Sequence, residues 1–327
     1  MTLNTASRDG SQGQKDPSVS VVVPVFNAEA SLEELCDRIM AVMGEDESRL
    51  EIILVNDGSS DSSWPVISRL SERSPCILGL DLMRNYGQHN ALLAGIRQAS
   101  MDVIVTLDDD LQNPPEEIPR LIDKLAEGYD VVYGKPMHRN HRFWRNASSW
   151  FLKLVLKVVM GSEFGGNSSP YRAFRSVLKK GFSDFRDARL SIDVLLSWVA
   201  RNSVAIKVEH HPRRDGRSGY SFGKLSLLAF DMLTGYSVLP LRFASGTGLV
   251  TALFGLAIFF YVVIRRLMEP NYVPGFAFLA SEIALFAGLQ LFAVGVIGEY
   301  IARLHFRTMR KPPYVVRNET GKEVLPE

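Results

Sequence analysis

Met101-Asp-Val-Ile-Val-Thr-Leu107, followed by Asp108-Asp109-Asp110-Leu111-Gln112-Asn113-Pro114-Pro115-Glu116-Glu117, is the stretch on which the reading of this chain turns. The apolar run reads as a buried parallel strand. Three carboxylates directly after such a strand are costly unless positive charge neutralises them, and a divalent cation is the obvious neutraliser. Open α/β sheets place their ligands at the carboxyl ends of strands, which is where these residues fall. Alternation would aim Asp108 and Asp110 one way and Asp109 the other, and Gln112 continues the first parity with a neutral oxygen. Mg²⁺ or Mn²⁺ takes one or two carboxylates, some water, and the rest from substrate phosphates, so Asp108, Asp110 and Gln112 form a candidate metal set. Pro114 and Pro115 stop the strand, and Glu116 and Glu117 suit the first turn of a helix continuing through Ile118, Leu121, Ile122 and Leu125. Taken alone, the triplet also reads as a solvated acidic turn.

Working outward, Val19 to Val23 is a β-branched strand stopped by Pro24. A helix over 28–43 follows, with Leu32, Leu35, Cys36, Ile39 and Met43 on one face. Glu51 to Val55 is a second strand, ending in Asn56-Asp57-Gly58-Ser59-Ser60-Asp61, a glycine turn before another helix. Ile77 to Leu80 is a third strand, followed by a helix carrying Leu92, Leu93 and Ile96; the strand ending at Leu107 is the fourth, and Asp130 to Tyr133 the fifth. Strands alternating with helices predict an α/β domain with a mostly parallel, Rossmann-like sheet. Glu29, Asp57 and Asp108 to Asp110 would line one edge of strand ends. There is no Gly-x-Gly-x-x-Gly after the first strand and no Walker lysine, so neither a dinucleotide fold nor a phosphate-loop ATPase is supported.

The 327 residues suffice for a domain of about 200 residues plus something smaller. A formal net charge of +1 excludes the strongly basic profile of a nucleic-acid binder. Cys36 and Cys76 read as core thiols in a reducing compartment, too few for a disulfide framework. Residues 1–17 are polar and read as a disordered lead-in. Beyond residue 140 the character changes. Residues 144–160 are amphipathic and basic, with Arg145, Ser149, Lys153 and Lys157 at i+4 spacing, and 222–236 repeat the theme. Residues 243–264 are uncharged and long enough, at about 1.5 Å per residue, to cross a hydrocarbon core of about 30 Å. Residues 276–298 form a second span, interrupted only by Glu282, which reads as lying near the interface. Lys and Arg are dense before the first span (Arg213, Arg214, Arg217, Lys224, Arg242) and after the second (Arg303, Arg307, Arg310, Lys311). The short connection carries only Arg265 and Arg266, so both termini are expected in the cytoplasm. The expected organisation is therefore a catalytic domain over 18–215, a juxtamembrane helix over 216–242, a transmembrane hairpin over 243–298 and a tail over 299–327.

A soluble domain with an acidic strand edge, tethered to basic amphipathic helices and two spans, suggests joining a diphosphate-bearing donor to a lipid acceptor. Several motifs then carry a resemblance: Val21-Val22-Val23-Pro24-Val25-Phe26-Asn27-Ala28-Glu29, Val55-Asn56-Asp57-Gly58-Ser59-Ser60-Asp61, Arg84-Asn85-Tyr86-Gly87-Gln88-His89-Asn90, the Asp108-to-Pro119 stretch and Gly298-Glu299-Tyr300. Together they resemble family 2 glycosyltransferases with a GT-A fold. More narrowly they resemble the polyprenyl-phosphate glycosyltransferases, a group that includes dolichol-phosphate mannose synthases and the undecaprenyl-phosphate transferases of glucose and of 4-deoxy-4-formamido-L-arabinose. The resemblance covers about residues 18 to 316.

The resemblance implies inverting transfer from a nucleoside-diphosphate sugar, a UDP-sugar by preference, to a polyprenyl phosphate at the cytoplasmic face of a bacterial inner membrane. It implies that Pro24, Glu29, Asp57, Asp108 and Asp109 contact the nucleotide sugar, and that Asp108, Asp110 and Gln112 hold Mg²⁺ or Mn²⁺. It further implies that Arg145, Ser149, Arg213 and Arg217 meet the acceptor phosphate, with Asp108, Asp110 and Arg213 catalytic. Snorkelling surface charge is the plainer account of Arg145, and positive-inside charge that of Arg213. Interfacial helices and a hairpin of spans are compatible with a homotetramer. Where the arabinose transferases read Glu-Ser-Lys-Tyr-Ser this chain has Arg217-Ser218-Gly219-Tyr220-Ser221, and where they read Asp-Tyr-Gly-Cys it has Gly166-Asn167-Ser168-Ser169. Those loops are expected to face the sugar. A glycolipid or polysaccharide hydroxyl as acceptor would instead require a base, with Asp109 or Asp110 as candidates. A non-catalytic nucleotide-sugar-binding subunit is the reading from a different class.

Overall fold

A computed structural model of the chain describes residues 17–44, 46, 48–137, 164, 166–183, 185–186, 190–211, 234–268 and 275–321. The lead-in 1–16, the amphipathic segments 144–160 and 222–233, and with them Arg145, Ser149, Arg213 and Arg217, lie outside the described residues.

Among the described residues, an eight-stranded sheet forms the centre. In chain order its strands are β1 (Val19–Val25), β2 (Leu50–Asn56), β3 (Ile77–Leu82), β4 (Val103–Thr106), β5 (Val131–Pro136), β6 (Arg172–Arg175), β7 (Ser203–Val208) and β8 (Val316–Thr320). They lie in the order β7-β5-β6-β4-β1-β2-β3-β8. The run β4-β1-β2-β3 is parallel, as the alternation of strands and helices predicts. β6 runs antiparallel between β4 and β5, β7 is parallel to β5, and β8 is antiparallel to β3. The chain leaves β1 toward β2 and β3, then returns to β4 on the other flank of β1. That switch of direction opens a crevice at the carboxyl ends of β1 and β4, the position of Asp108 to Asp110.

Helices cover both faces. Along β1, Val19, Val21, Val23 and Val25 join the core beneath α1 (Leu32–Met43), α2 (Ser63–Arg73) and α4 (Ile118–Ala126). Val22 joins the opposite core, beneath α3 (Gln88–Gln98) and α5 (Ile192–Val199). This alternation follows from side chains pointing to opposite faces of a strand. In α4 the buried residues are Ile118, Leu121, Ile122 and Leu125, the stripe the sequence predicts.

Pro24 does not end β1, which continues to Val25. The amide of Leu107 donates to the carbonyl of Val22 and that of Asp57 to the carbonyl of Val25, so by alternation Pro24 faces the β4 side. Pairing with β4 ends at Val22 and Thr106, and a residue lacking an N–H is tolerated beyond that end.

Two long helices follow the domain, α6 (Leu239–Met268) and α7 (Phe276–Thr308). Their apolar windows, Leu239–Arg265 with mean hydropathy 2.3 and Leu285–His305 with mean hydropathy 1.7, are long enough to cross a bilayer and are not buried in protein. Side chains such as Phe254, Phe259 and Leu291 are exposed. The hydroxyls of Thr247 and Thr251 donate to the carbonyls four residues back, so neither is left unpaired on these helices. Gly255 allows the helices to approach, since a Cβ there would meet the Phe286 ring at 3.3 Å. Glu282 lies in the second turn of α7.

Candidate active site

The site is built on the carboxyl ends of β1, β2, β4 and β5. Beyond β4 the strand parity no longer holds, because residues 107–113 form a turn with Leu111 at φ 57°. The left-handed conformation costs a non-glycine residue about 1–2 kcal/mol, and the Leu111 side chain offsets it by being buried in the core.

Within this turn the three carboxylates take different tasks. Asp109 Oδ2 accepts from the Phe26 amide at 3.0 Å and its carbonyl accepts from Ser31 Oγ at 2.7 Å, so it joins the β4 turn to the end of β1. Asp110 Oδ1 accepts from the Gln112 amide at 3.1 Å, tightening the turn. Asp108 Oδ1 accepts from Gln88 Nε2 at 2.5 Å, and Asp108 and Gln112 line one cavity of about 210 Å³. Among the described residues no cluster of three or more His, Cys, Asp or Glu forms a preformed metal cage. The donor set instead fits Mg²⁺ or Mn²⁺ held by one or two carboxylates with the remaining ligands from water and substrate phosphate.

Asn56 and Asp57 prolong β2. Asp57 is buried, and its two oxygens accept from the amides of Tyr86 and Gly87 at 2.7 and 2.8 Å. Burial pushes its pKa above the ordinary carboxylate value, against the pull of these two amides. Gly58 makes the junction possible: its φ is +68°, and a Cβ would stand 2.5 Å from the Asn85 nitrogen. Glu29 Oε2 accepts from the Ser62 amide at 2.8 Å, just before α2. Asn27, at φ 53°, accepts from the Ser60 amide through Oδ1 at 2.8 Å. Glu29 and Asp57 thus sit on neighbouring strand ends as the sequence suggests, each also bracing the loop beside it.

The cavity is lined, with Asp108 and Gln112, by Lys135 and His210, which the sequence reading did not assign, and by Ser168 and Ser169, from a loop it expected to face the sugar. Lys135 Nζ donates to the Gly166 carbonyl and to Asn167 Oδ1, fastening the 166–169 segment to β5. His210 Nδ1 lies 3.4 Å from Asn113 Oδ1, and the His211 amide donates to the Gln112 carbonyl, so the end of β7 is tied to the acidic turn. Lys135 was within reach of the sequence, two residues past the expected end of the fifth strand. His210 was not, because β7 was not expected. Beneath the cavity lies a buried ion pair, Arg172 with Asp193, also unassigned from sequence.

Three comparisons bear on this arrangement. Residues 20–184 match the profile of Glycosyl transferase family 2. The undecaprenyl-phosphate 4-deoxy-4-formamido-L-arabinose transferase of Serratia proteamaculans (strain 568) is 37% identical over 308 residues, 93% of this chain and 94% of that protein. The enzyme of the same name from Yersinia enterocolitica serotype O:8 / biotype 1B is 37% identical over 316 residues, 96% of this chain and 97% of that protein. Among solved structures, glucosyl-3-phosphoglycerate synthase from Mycobacterium tuberculosis, in complex with Mn²⁺, uridine diphosphate and glucosyl-3-phosphoglycerate, is 20% identical with a TM-score of 0.49, over 67% of this chain and 80% of that one. With the family profile spanning the sheet from β1 to β6, and relatives aligned through both apolar helices, the chain belongs to glycosyl transferase family 2.

Proposed function

We propose that the protein transfers a sugar from a nucleoside-diphosphate sugar, a UDP-sugar by preference, to a polyprenyl phosphate such as undecaprenyl phosphate, making a lipid-linked monosaccharide at the cytoplasmic face of a bacterial inner membrane. The observation that carries this reading is the alignment at 37% identity of nearly the whole chain, spans included, with undecaprenyl-phosphate sugar transferases. The cavity beyond the carboxyl end of β4, where Asp108 and Gln112 meet Lys135 and His210, supports it, because open α/β sheets bind their ligands at such strand ends.

A lipid phosphate monoester has a second pKa near 6, so at neutral pH it is largely dianionic and already nucleophilic. No strong general base is then required. Attack on the face of the sugar opposite the departing diphosphate inverts the anomeric centre in one step. A divalent cation, which Asp108, Asp110 and Gln112 would hold, supplies positive charge beside that diphosphate. Gln88 fixes the Asp108 carboxylate, Asp109 holds the turn against β1, and Asp57 and Glu29 frame the nucleotide end. Arg145, Ser149, Arg213 and Arg217 are assigned to the phosphates by resemblance, at positions outside the described residues.

The test compares undecaprenyl phosphate with undecaprenol as acceptor for the purified protein, using an α-linked UDP-sugar and NMR of the product. The reading predicts product from the phosphate alone, with β configuration. Product from the alcohol, or an α-linked phosphodiester, would overturn it.

A further inference from the structure

Two hydroxyls beside the cavity have their protons committed. Arg172, 1% exposed, pairs through Nη1 with Asp193 Oδ1 and donates from Nε to Thr106 Oγ1 at 3.0 Å. Thr106, having accepted from the guanidinium, donates its own proton to the Pro170 carbonyl at 2.8 Å. On the other side Asp193 Oδ2 accepts from Ser168 Oγ at 2.9 Å. A carboxylate paired with arginine only accepts, and a hydrogen bond to it is about twice as strong as one between neutral groups. The Ser168 proton therefore points down into the network, and its remaining lone pairs are what it presents to the cavity it lines with Asp108. Asp193 is itself fixed. It lies in the first turn of α5, where a negative charge is favoured, and the Ile192 and Ser191 amides beside it donate to His89 Nδ1 at 3.4 Å and the Tyr236 hydroxyl at 3.0 Å.

We infer that Ser168 is a specificity-determining residue of the sugar subsite, accepting a hydrogen bond from a hydroxyl or N–H of the transferred sugar, and that Asp193 is the positioning residue that makes it an acceptor. The inference rests on the glycosyl-transfer reading above. It gives a physical meaning to the Gly166-Asn167-Ser168-Ser169 segment, which stands where the arabinose transferases carry a different motif. A site that hydrogen-bonds a sugar substituent rejects the analogue lacking it, because a buried acceptor is then left unpaired.

The experiment uses the full-length enzyme with undecaprenyl phosphate. The best UDP-sugar from a panel of hexoses, hexosamines and pentoses is compared with its monodeoxy analogues. Turnover of the parent donor by the unaltered enzyme is measured first and answers for the transfer reading alone. Ser168→Ala should raise the parent donor's KM about three- to tenfold, with affinity for UDP itself unchanged. One monodeoxy donor, disfavoured by the unaltered enzyme, should then match its parent, and Ser168→Thr should restore the discrimination. Asp193→Asn, whose amide N–H can donate to Ser168 and release its proton, should lose the same discrimination in protein that still binds UDP. If every monodeoxy donor keeps the same ratio to its parent in Ser168→Ala as in the unaltered enzyme, the inference is wrong.

Discussion

Asp108, Asp109 and Asp110 are alike on paper and distinct in the fold. The strand pattern groups Asp108 with Asp110 and Gln112 and sets Asp109 apart; in the structure Asp109 is on the Phe26 amide, Asp108 and Gln112 line the cavity, and Asp110 is not among the residues that line it but accepts from the Gln112 amide. The turn at Leu111, rather than strand alternation, produces the separation. Asp108→Asn, which keeps the shape and removes the charge, should lower turnover about a hundredfold or more while leaving the protein folded; activity and circular dichroism on one preparation check it. His89 yields a pH prediction. Burial lowers its pKa from 6.5 to about 4, the nearby Asp193 charge opposing and Arg172 assisting. A depressed histidine pKa means that the unfolded chain binds the proton first, so its stabilising contribution is intact above pH 6.5 and is lost as pH falls toward 4. The loss has an upper bound of roughly 3 kcal/mol. Denaturation midpoints between pH 7 and 4 should fall in the native protein and fall less in His89→Gln; equal slopes would contradict the assignment. The sequence motif containing His89 gave no hint of this, because its burial depends on α5, which carries no recognisable signature ahead of Ile192.

At the scale of elements, the parallel half of the sheet was readable because its strands are continuous β-branched runs followed by helices with a clear apolar stripe. The other strands were not. β6 is four residues with arginine at each end, β7 alternates weakly, and β8 is Val-Arg-Asn-Glu-Thr, polar as suits an edge. Of these, β7 carries His210 to the cavity wall, which is why His210 escaped notice, whereas Ser168, ahead of β6, belongs to a loop that the resemblance singles out. Helix α3 holds Gln88 toward Asp108 and lies close on the sheet: a Cβ at Gly95 would stand 2.4 Å from Val22 Cγ1 and 3.0 Å from Val55 Cγ2. Gly95→Ala gains helix propensity of about 1 kcal/mol but forces overpacking worth about 1–3 kcal/mol. The net should be a lower melting temperature together with a raised donor KM, since lifting α3 moves Gln88; a melting temperature at or above that of the native protein would show that the contact relaxes freely.

For the whole molecule, the segment after the second span is more than an extension from the membrane. Tyr314 receives the Arg97 guanidinium over its ring at 5.6 Å, and β8 then pairs with β3. The Thr320 hydroxyl accepts from Ser71 at 2.7 Å, and Arg317 donates to the Met83 carbonyl at 2.8 Å. Near its start, Tyr300 donates to the Ser237 carbonyl at 2.6 Å and Arg307 to that of Gly235 at 3.1 Å, so the end of α7 is tied to the approach to α6. The tail beyond α7 is thereby fastened to the sheet, and α7 itself to the approach to α6. Ending the chain after residue 311 should uncover the β3 edge, lower the melting temperature by several degrees and favour aggregation, all visible in light scattering during a thermal ramp. A truncated protein that melts and scatters like the full chain would remove β8 from the account. The two long apolar helices were plain in the sequence, since each rests on a continuous apolar run of the length a bilayer crossing needs. The cavity wall was less so, because its loops take their partners from distant strands.

The proposed reaction passes a sugar from its nucleotide to a phosphorylated isoprenoid at the Asp108 cavity. Mass spectrometry of lipid extracts from purified protein incubated with undecaprenyl phosphate, a panel of nucleotide sugars and Mn²⁺ tests it most directly. One lipid phosphodiester bearing a single sugar is expected from the native protein, and none with Asp108→Asn or excess chelator. Product at an undiminished level from Asp108→Asn, or none from the folded native protein with any donor in the panel, would contradict it.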